Sequence, residues 1–379
     1  MQRIVLIKQQ YHATGGAERF VERAIHALTQ APLRIALISR QWDVNPGLEV
    51  IPCRSFYLGR TWRDWAFSRC AQRRIAQIRD SLVQSHERIP GCQLYRAGDG
   101  VHREWLIQRA RYLGRFQQWT SRLSVYHRYV LRAERLMYAD PALKAVVCNS
   151  NMVRDELRRH YDVPISKLHT IYNSVDSQRF SPSMRLKQRR EARETWRFSQ
   201  HALVAAFVGS GYARKGLATA LRAVARAGID VYLIVAGKDR KMQYYVRLAE
   251  KLNIADRVRF LGPLPDVRPV YAAADVLVLP TFYDPFANVV LEAMACALPV
   301  ITSTTCGAVD IIQPGKNGYL RDALDHEGVA ADLAALRDVP VREQIGDAAR
   351  DAVLPFTDQA LVEQLRDLYR RLLATSCDR

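Results

Sequence analysis

The sequence predicts an α/β protein of two doubly wound domains, each a parallel sheet with helices on both faces. Three observations carry this expectation. Short apolar runs alternate with amphipathic helical stretches along the whole chain; a second such series starts afresh near residue 203; and 379 residues exceed what one core comfortably fills. With 49% hydrophobic and 25% charged residues, a disordered chain is excluded.

The elements follow in order. Ile4-Val-Leu-Ile7 reads as the first strand, and Gly15-Gly16 opens an amphipathic helix over residues 17–28. Runs at 34–38 and 145–149 add strands to the same half. The polar, basic stretch 174–200, with Pro182 and Arg185-Leu-Lys-Gln-Arg-Arg190, reads as an inter-domain region followed by a short helix. The second half opens with a strand at 203–208 and Gly209, then a helix from Gly216, a strand at 231–235 and a helix around 244–252. Strands at 258–261 and 276–279, a helix after Asp284 and a strand at Val300-Ile301 complete it. Leu361, Leu365, Tyr369 and Leu372 share one face of a last helix over residues 358–373.

Bulk features narrow the function. No run approaches the roughly 18 apolar residues of a membrane span, and the N-terminus continues as a strand rather than a signal segment, so a cytoplasmic protein is expected. The seven cysteines, Cys53, Cys70, Cys92, Cys148, Cys296, Cys306 and Cys377, form no Cys-x-x-Cys and no zinc spacing. They read as small hydrophobes of a reducing compartment, and no metal is expected. The net charge of +18 favours a polyanionic partner: nucleotide-sugar phosphates, nucleic acid or an anionic membrane face.

The chemistry concentrates in a few stretches. Asp284-Pro-Phe-Ala-Asn-Val-Val-Leu-Glu292 brackets a helix start with two carboxylates. Asp284 suits the N-cap and Pro285 the first helical position, so the amides of Phe286, Ala287 and Asn288 would face a ligand oxygen while Glu292 accepts from a diol. Taken alone, an Asp-Pro of this kind also suits an ordinary capped helix. Arg214-Lys215, within Gly209-Ser-Gly-Tyr-Ala-Arg-Lys-Gly216, lies between a strand and a helix, where two cations oppose the helix dipole unless an anion is bound. A guanidinium fork beside a point charge fits a pyrophosphate. The turn Ala97-Gly-Asp99-Gly-Val-His102 offers an acid and an imidazole, of which Asp99 is the better candidate for positioning a hydroxyl. No Asp-x-Asp occurs, which removes a common metal bridge to diphosphates.

Residues 102–135 carry eight arginines interleaved with six Trp, Tyr and Phe side chains, opposed only by Glu104 and Glu134. Such a segment suits an anionic bilayer, with Arg103, Trp105, Arg109, Arg111, Arg115 and Trp119 as membrane contacts. It also suits nucleic acid, or a core stripe of Leu106, Leu113, Leu123 and Leu131 beneath a solvated cationic face.

The stretch from Asp284 through Ala293-Met-Ala-Cys-Ala-Leu-Pro299 resembles the donor-sugar signature of retaining GT4 glycosyltransferases, with Asp284 in place of Glu and Ala297 in place of Gly. Gly15-Gly16-Ala-Glu-Arg19 resembles the family's diphosphate loop, and Tyr172-Asn173-Ser-Val-Asp176-Ser-Gln-Arg179-Phe180 its Asn-Gly-Val-Asp-x-x-Arg-Phe. Within that family the likeness is greatest to the glucosyltransferases of the lipopolysaccharide core heptose region. The resemblance implies a GT-B fold: two Rossmann-like domains facing across a cleft, and a C-terminal helix crossing back to the first. It implies an acceptor-binding domain at 1–172, a nucleotide-sugar domain at 173–355 and the returning helix at 356–379. It further implies metal-independent, retaining transfer of glucose from UDP-glucose to a membrane-anchored glycolipid at the cytoplasmic face of the inner membrane, with no cofactor. Asp99, Asp284 and Glu292 are the implied catalytic group. Gly15, Gly16, Arg179, Arg214, Lys215, Phe286, Ala287, Asn288, Val289 and Glu292 are the implied donor contacts. Other nucleotide sugars, a soluble acceptor and nucleic-acid binding stay open as alternatives.

Overall fold

The computed structural model describes residues 3–10, 34–41, 49–54 and 56–377. Gly15 and Gly16, with the helix expected after them, lie outside the described residues. Contacts divide the chain into two compact units, Met1–Asn173 with Gln359–Arg379, and Ser174–Asp358.

The first unit is built on seven parallel strands: β1 (Arg3–Ile7), β2 (Arg34–Ser39), β3 (Glu49–Pro52), β4 (Ser81–Ser85), β5 (Leu94–Arg96), β6 (Ala145–Cys148) and β7 (Leu168–Thr170). Their order is β3-β2-β1-β4-β5-β6-β7. Central strands of such a sheet are covered on both faces, so β1 reads as an unbroken apolar run. Alternate side chains still go to opposite faces: Val5 and Ile7 join Phe67 and Ala71 of α1 (Gly59–Gln77) in one core, while Ile4 and Leu6 join another. That second core is closed by Leu361, Leu365, Leu368, Tyr369 and Leu372, the apolar face of the chain's last helix, Asp358–Cys377. The Tyr369 hydroxyl donates to Gln84 Oε1 at 2.5 Å, anchoring the helix to β4.

Four more helices complete this unit: α2 (His102–Ala110), α3 (Arg115–Leu123), α4 (Val125–Tyr138) and α5 (Asn151–Tyr161). Cys53 and Cys70 are joined by a disulfide that ties the end of β3 to α1. This corrects the expectation of unpaired cysteines: residues 17 apart in sequence meet because α1 folds back beside the strand that precedes it. Cys92, Cys148, Cys296 and Cys306 are free and buried, and burial pushes the first three thiols up to about 12.

The second unit repeats the plan with six parallel strands: β8 (Leu203–Val208), β9 (Val231–Ala236), β10 (Val258–Gly262), β11 (Val276–Leu279), β12 (Val300–Ser303) and β13 (Tyr319–Arg321). The order β10-β9-β8-β11-β12-β13 puts a topological switch between β8 and β11, where open α/β sheets bind ligands. Its helices are α6 (Pro182–Thr195), α7 (Tyr212–Lys215), α8 (Leu217–Arg226), α9 (Met242–Lys251), α10 (Arg268–Ala273), α11 (Asn288–Ala295), α12 (His326–Ala335) and α13 (Val339–Val353).

The basic stretch expected to lie between domains is instead α6, a working part of this unit. Ser181 caps it and Pro182 starts it. Arg185, Arg189 and Arg193 turn inward, while Arg190 stays exposed. Arg193, with no exposed surface, donates through Nη2 to Asp275 Oδ2 at 2.5 Å, through Nε to Ala273 O at 3.0 Å and through Nη1 to Ser199 O at 2.8 Å. Arg189 Nη2 reaches Asp275 Oδ1 at 2.6 Å, and the Val204 amide donates to Oδ2 at 2.8 Å. Burial alone would raise the Asp275 carboxyl, but Arg193 and Arg189 hold it below the usual carboxylate range.

Ala297, just past α11, has φ +55°. A methyl-bearing residue in the left-handed region carries strain of about 1–2 kcal/mol, which is why glycine is the common solution at helix ends.

Removing the charge of Asp275 isolates a buried guanidinium. Asp275→Asn should lower the unfolding free energy by about 3–5 kcal/mol in urea titrations. The loss should be largest at neutral pH and shrink in acid, since a carboxyl with a depressed pKa contributes stability above its unfolded value and loses it as pH falls through the folded one. A loss under about 1 kcal/mol would mean that the cluster behaves as a screened surface pair.

Candidate functional site

The switch point of the second unit gathers the residues marked in the sequence. After β8 the chain turns through Gly209 and Gly211 into the single turn α7, then breaks at Gly216. Gly216 has φ +80°, and a Cβ there would lie 1.9 Å from the Pro280 carbonyl oxygen, so no other residue fits. Neighbouring loops fix the turn: the Tyr212 amide donates to Asp239 Oδ2 at 2.7 Å and its hydroxyl to Gly237 O at 2.8 Å. After β11, the Phe282 amide and Thr281 Oγ1 donate to Arg214 O at 2.8 and 3.0 Å, zipping the two loops together.

This zipper aligns the charges. Lys215 Nζ donates to Asp284 Oδ2, and Arg214 Nη1 bridges the Tyr283 carbonyl at 2.9 Å and the same Oδ2 at 3.2 Å. Asp284 and Lys215 are buried, whereas the Arg214 side chain keeps 35% of its surface exposed. Burial opposes ionisation of Asp284, but Lys215 and then Arg214 outweigh it and hold its pKa below the usual value. One carboxylate facing two cations leaves a net positive corner at the carboxyl end of a parallel sheet. That corner suits a diphosphate.

The carboxylate therefore does not cap the following helix. Helix α11 starts at Asn288, its N-cap is Ala287 and no side chain caps it. Phe286 and Ala287, expected as first-turn amides, precede the helix and are buried; Asn288 and Val289 occupy its first turn and are partly accessible. The physical reason is competition: an ion pair with two cations holds the Asp284 side chain, and its backbone bridges to Cys306 through Asp284 N to Thr305 O at 3.1 Å and Gly307 N to Asp284 O at 2.8 Å.

Glu292 lies one turn into α11, buried, with the Tyr271 hydroxyl donating to its Oε2 at 2.9 Å. Tyr271 went unnoticed in the sequence because Val270-Tyr-Ala-Ala-Ala274 reads as core. The available signal was the phenol itself, which needs a partner when buried. Arg179 follows an Asp176 turn in which Oδ1 accepts from the Gln178 and Arg179 amides at 3.1 and 2.9 Å, and its guanidinium stands 5.7 Å from the Phe180 ring.

In the first unit, Asp99 sits in an exposed turn, its side chain 62% accessible and 3.9 Å from Arg88. His102, an alternative for the same role, is buried. Its Nε2 lies 3.1 Å from His127 Nδ1, and burial, then Arg88, lowers its pKa to about 3. Burial thus favours its neutral form.

The basic aromatic segment folds as three helices, α2 to α4. Both of its acids face inward: Glu104 accepts from Gln108 at 2.8 Å and contacts His160 at 2.7 Å, and Glu134 accepts from Arg88, the His102 amide and the Tyr161 hydroxyl. The outer face keeps the cations. Arg103, Arg111, Arg115 and Trp119 are exposed, as is Phe116, and α3 buries none of its residues. Two expected membrane contacts differ. Trp105 is half-buried, and Arg109 Nη1 is held by His127 at 2.8 Å and Ser121 at 3.2 Å, so it braces the helices against one another. Among the described residues, no group of His, Cys, Asp and Glu is set to hold a metal ion, and no helix is long and apolar enough to cross a membrane.

Two family models match the chain in tandem. A glycosyltransferase family 4 model matches residues 14–179, and a glycosyl transferases group 1 model matches residues 188–352. A D-inositol 3-phosphate glycosyltransferase of Corynebacterium diphtheriae is 32% identical over 59% of this chain and 55% of its own length. A probable transglycosylase of Burkholderia thailandensis is 29% identical over 89% of this chain and 88% of its own. The lipopolysaccharide core biosynthesis glycosyltransferase LpsE of Rhizobium meliloti is 33% identical over 43% and 47%. Thus the chain spans about half the length of the first and third of these relatives. Among solved structures, WaaG, a glycosyltransferase involved in lipopolysaccharide biosynthesis, superposes with a TM-score of 0.82 at 21% identity over 96% of this chain and 99% of its own. Anabaena HepE in complex with UDP-glucose superposes at 0.72 with 17% identity, covering 98% and 100%. Matched in tandem along both units, and folded as these neighbours are, the chain belongs to the GT-B glycosyltransferases of family 4.

Proposed function

We propose that the protein transfers glucose from UDP-glucose, with retention at the anomeric carbon, to a membrane-anchored glycolipid of the lipopolysaccharide core type. The observation that carries this reading is the convergence of Arg214, Lys215 and Asp284 at the switch point beside α11. In this reading Lys215 and Arg214 neutralise the departing diphosphate without a metal, and Asp284 sets their positions before the donor arrives. Glu292, oriented by Tyr271, accepts from the ribose diol, while the first-turn amides at Asn288 and Val289 meet donor oxygens. The leaving phosphate oxygen takes the acceptor proton on the face it departs from, so no protein base is needed. Asp99, the exposed acid of the first unit, is assigned to the acceptor hydroxyl.

UDP-glucose is favoured because a neighbour of the same fold holds it, and the lipopolysaccharide acceptor because LpsE and WaaG carry that description. The outward cationic and aromatic face of α3 supports work on the anionic cytoplasmic surface of a membrane. A different nucleotide sugar or a soluble acceptor is the second reading, favoured by the inositol phosphate relative.

UDP should raise the melting temperature of the wild type, and Lys215→Ala should abolish the rise, because only the folded state binds. At donor concentrations below KM, Glu292→Ala should reduce glucose transfer or UDP-glucose hydrolysis by about 10–100-fold, the loss of a charged partner to the diol. Stabilisation by GDP or ADP sugars instead of UDP would establish the second reading.

Flotation with anionic vesicles tests the membrane contact. Neutralising Arg111 and Arg115 together should weaken retention roughly 30-fold, at about 1 kcal/mol per cation. Arg109 is left intact because its loss would unbrace the helices. Equal retention of variant and wild type would remove the membrane from the reading.

A further inference from the structure

The first unit carries a basic, aromatic concavity on helix α1. Helix α1 presents Trp62, Trp65, Arg69 and Arg73 at three- and four-residue spacing, which stacks them along one face. Together with Arg54 and Arg74 they line a concave cavity of about 510 Å³. The Cys53–Cys70 disulfide holds the Arg54 segment against the helix, and Phe56 meets Trp62 edge-on at 5.9 Å to form one wall. Among the described residues, no acidic side chain lines the cavity. The helix's single acid, Asp64, is taken by Arg63 Nε at 2.9 Å and by Gln9 at 3.3 Å. Arg54, Arg69, Arg73 and Arg74 are exposed and have no carboxylate partner among the described residues. Cations four residues apart on one helix face repel each other unless an anion stands between them.

We propose that this groove binds a phosphorylated saccharide. Guanidinium forks take a phosphate by paired hydrogen bonds, and the indole faces of Trp62 and Trp65 take the C–H face of a sugar ring. The volume falls within the roughly 300–1,000 Å³ typical of small-molecule sites. A bare bilayer surface would use the charge but not the concavity. The ligand is either the phosphorylated headgroup of a glycolipid or a free sugar phosphate, and both share this chemistry.

Calorimetric titration of the full chain with glucose 6-phosphate, inorganic phosphate and glucose tests the assignment. Glucose 6-phosphate should bind saturably and at least tenfold more tightly than either fragment. Arg69→Ala with Arg73→Ala should weaken it tenfold or more, and Trp65→Ala should weaken glucose 6-phosphate while leaving inorganic phosphate unchanged. All three side chains are on the surface, and an unchanged UDP-induced melting shift in the variants would show that they fold and that the donor reading stands apart. Neutral vesicles doped with a phosphorylated glycolipid that displace glucose 6-phosphate would identify the headgroup as the source; failure to displace it would identify the free sugar phosphate. The proposal is overturned if glucose 6-phosphate binds no better than phosphate. It is equally overturned if the double variant loses only its retention on phosphatidylglycerol vesicles, which would make the groove a nonspecific membrane patch.

Discussion

The ion cluster of Asp284 with Lys215 and Arg214 is the constraint on which the rest of the site depends. A carboxylate this deeply buried stays ionised only because two cations face it, and two cations stay side by side only because the carboxylate lies between them. Every loop feature nearby serves that arrangement. Gly216 lets α7 break against the Pro280 carbonyl, the Arg214 carbonyl zips the loop to the end of β11, and the backbone of Asp284 bridges to Cys306. The cluster is neutral at neither end of its cycle, since one negative charge against two positive leaves an electrostatic vacancy for an anionic substrate.

The same unit contains a second such cluster with the opposite outcome. Asp275 is met by Arg193 and Arg189 and by the Val204 amide, and Arg193 spends its remaining donors on backbone carbonyls. Nothing there is left for a ligand, so the ions act as a peg joining α6 to the amino ends of the central strands β8 and β11. At Asp284, the partly exposed Arg214 keeps the cluster open to solvent. Buried arginine–aspartate chemistry alone thus distinguishes nothing. Accessibility of one member does.

Much of this was legible in the sequence. The apolar runs of β1, β8, β9 and β11 were plain because strands covered on both faces leave no polar positions. Shorter strands were not: β5 is Leu-Tyr-Arg and β13 is Tyr-Leu-Arg, three residues each, too short for any period. The motif around Asp284 and Glu292 falls at the switch point of the sheet, but its helix starts at Asn288 without an Asp284 cap. Local propensity makes Asp-Pro a cap, and only the distant Lys215 and Arg214 show why the carboxylate turns elsewhere. Arg193 gave no signal of its own, because its acid, Asp275, lies far along the chain. The Cys53–Cys70 bond and the inward turn of Glu104 and Glu134 likewise rest on tertiary proximity, which spacing does not encode.

The packing of the final helix has a consequence for the order in which the protein is made. One face of the first sheet, Ile4 and Leu6 among it, is covered by Leu361, Leu365 and Leu372, residues translated after the whole of the second unit. The second unit, contiguous from Ser174 to Asp358, is complete before them. Vectorial synthesis ordinarily favours the N-terminal domain. Here the half translated first waits with an uncovered hydrophobic sheet while the half translated later closes its own core. The nascent chain therefore exposes an apolar sheet face, and with it an aggregation hazard, until residues 361–372 emerge.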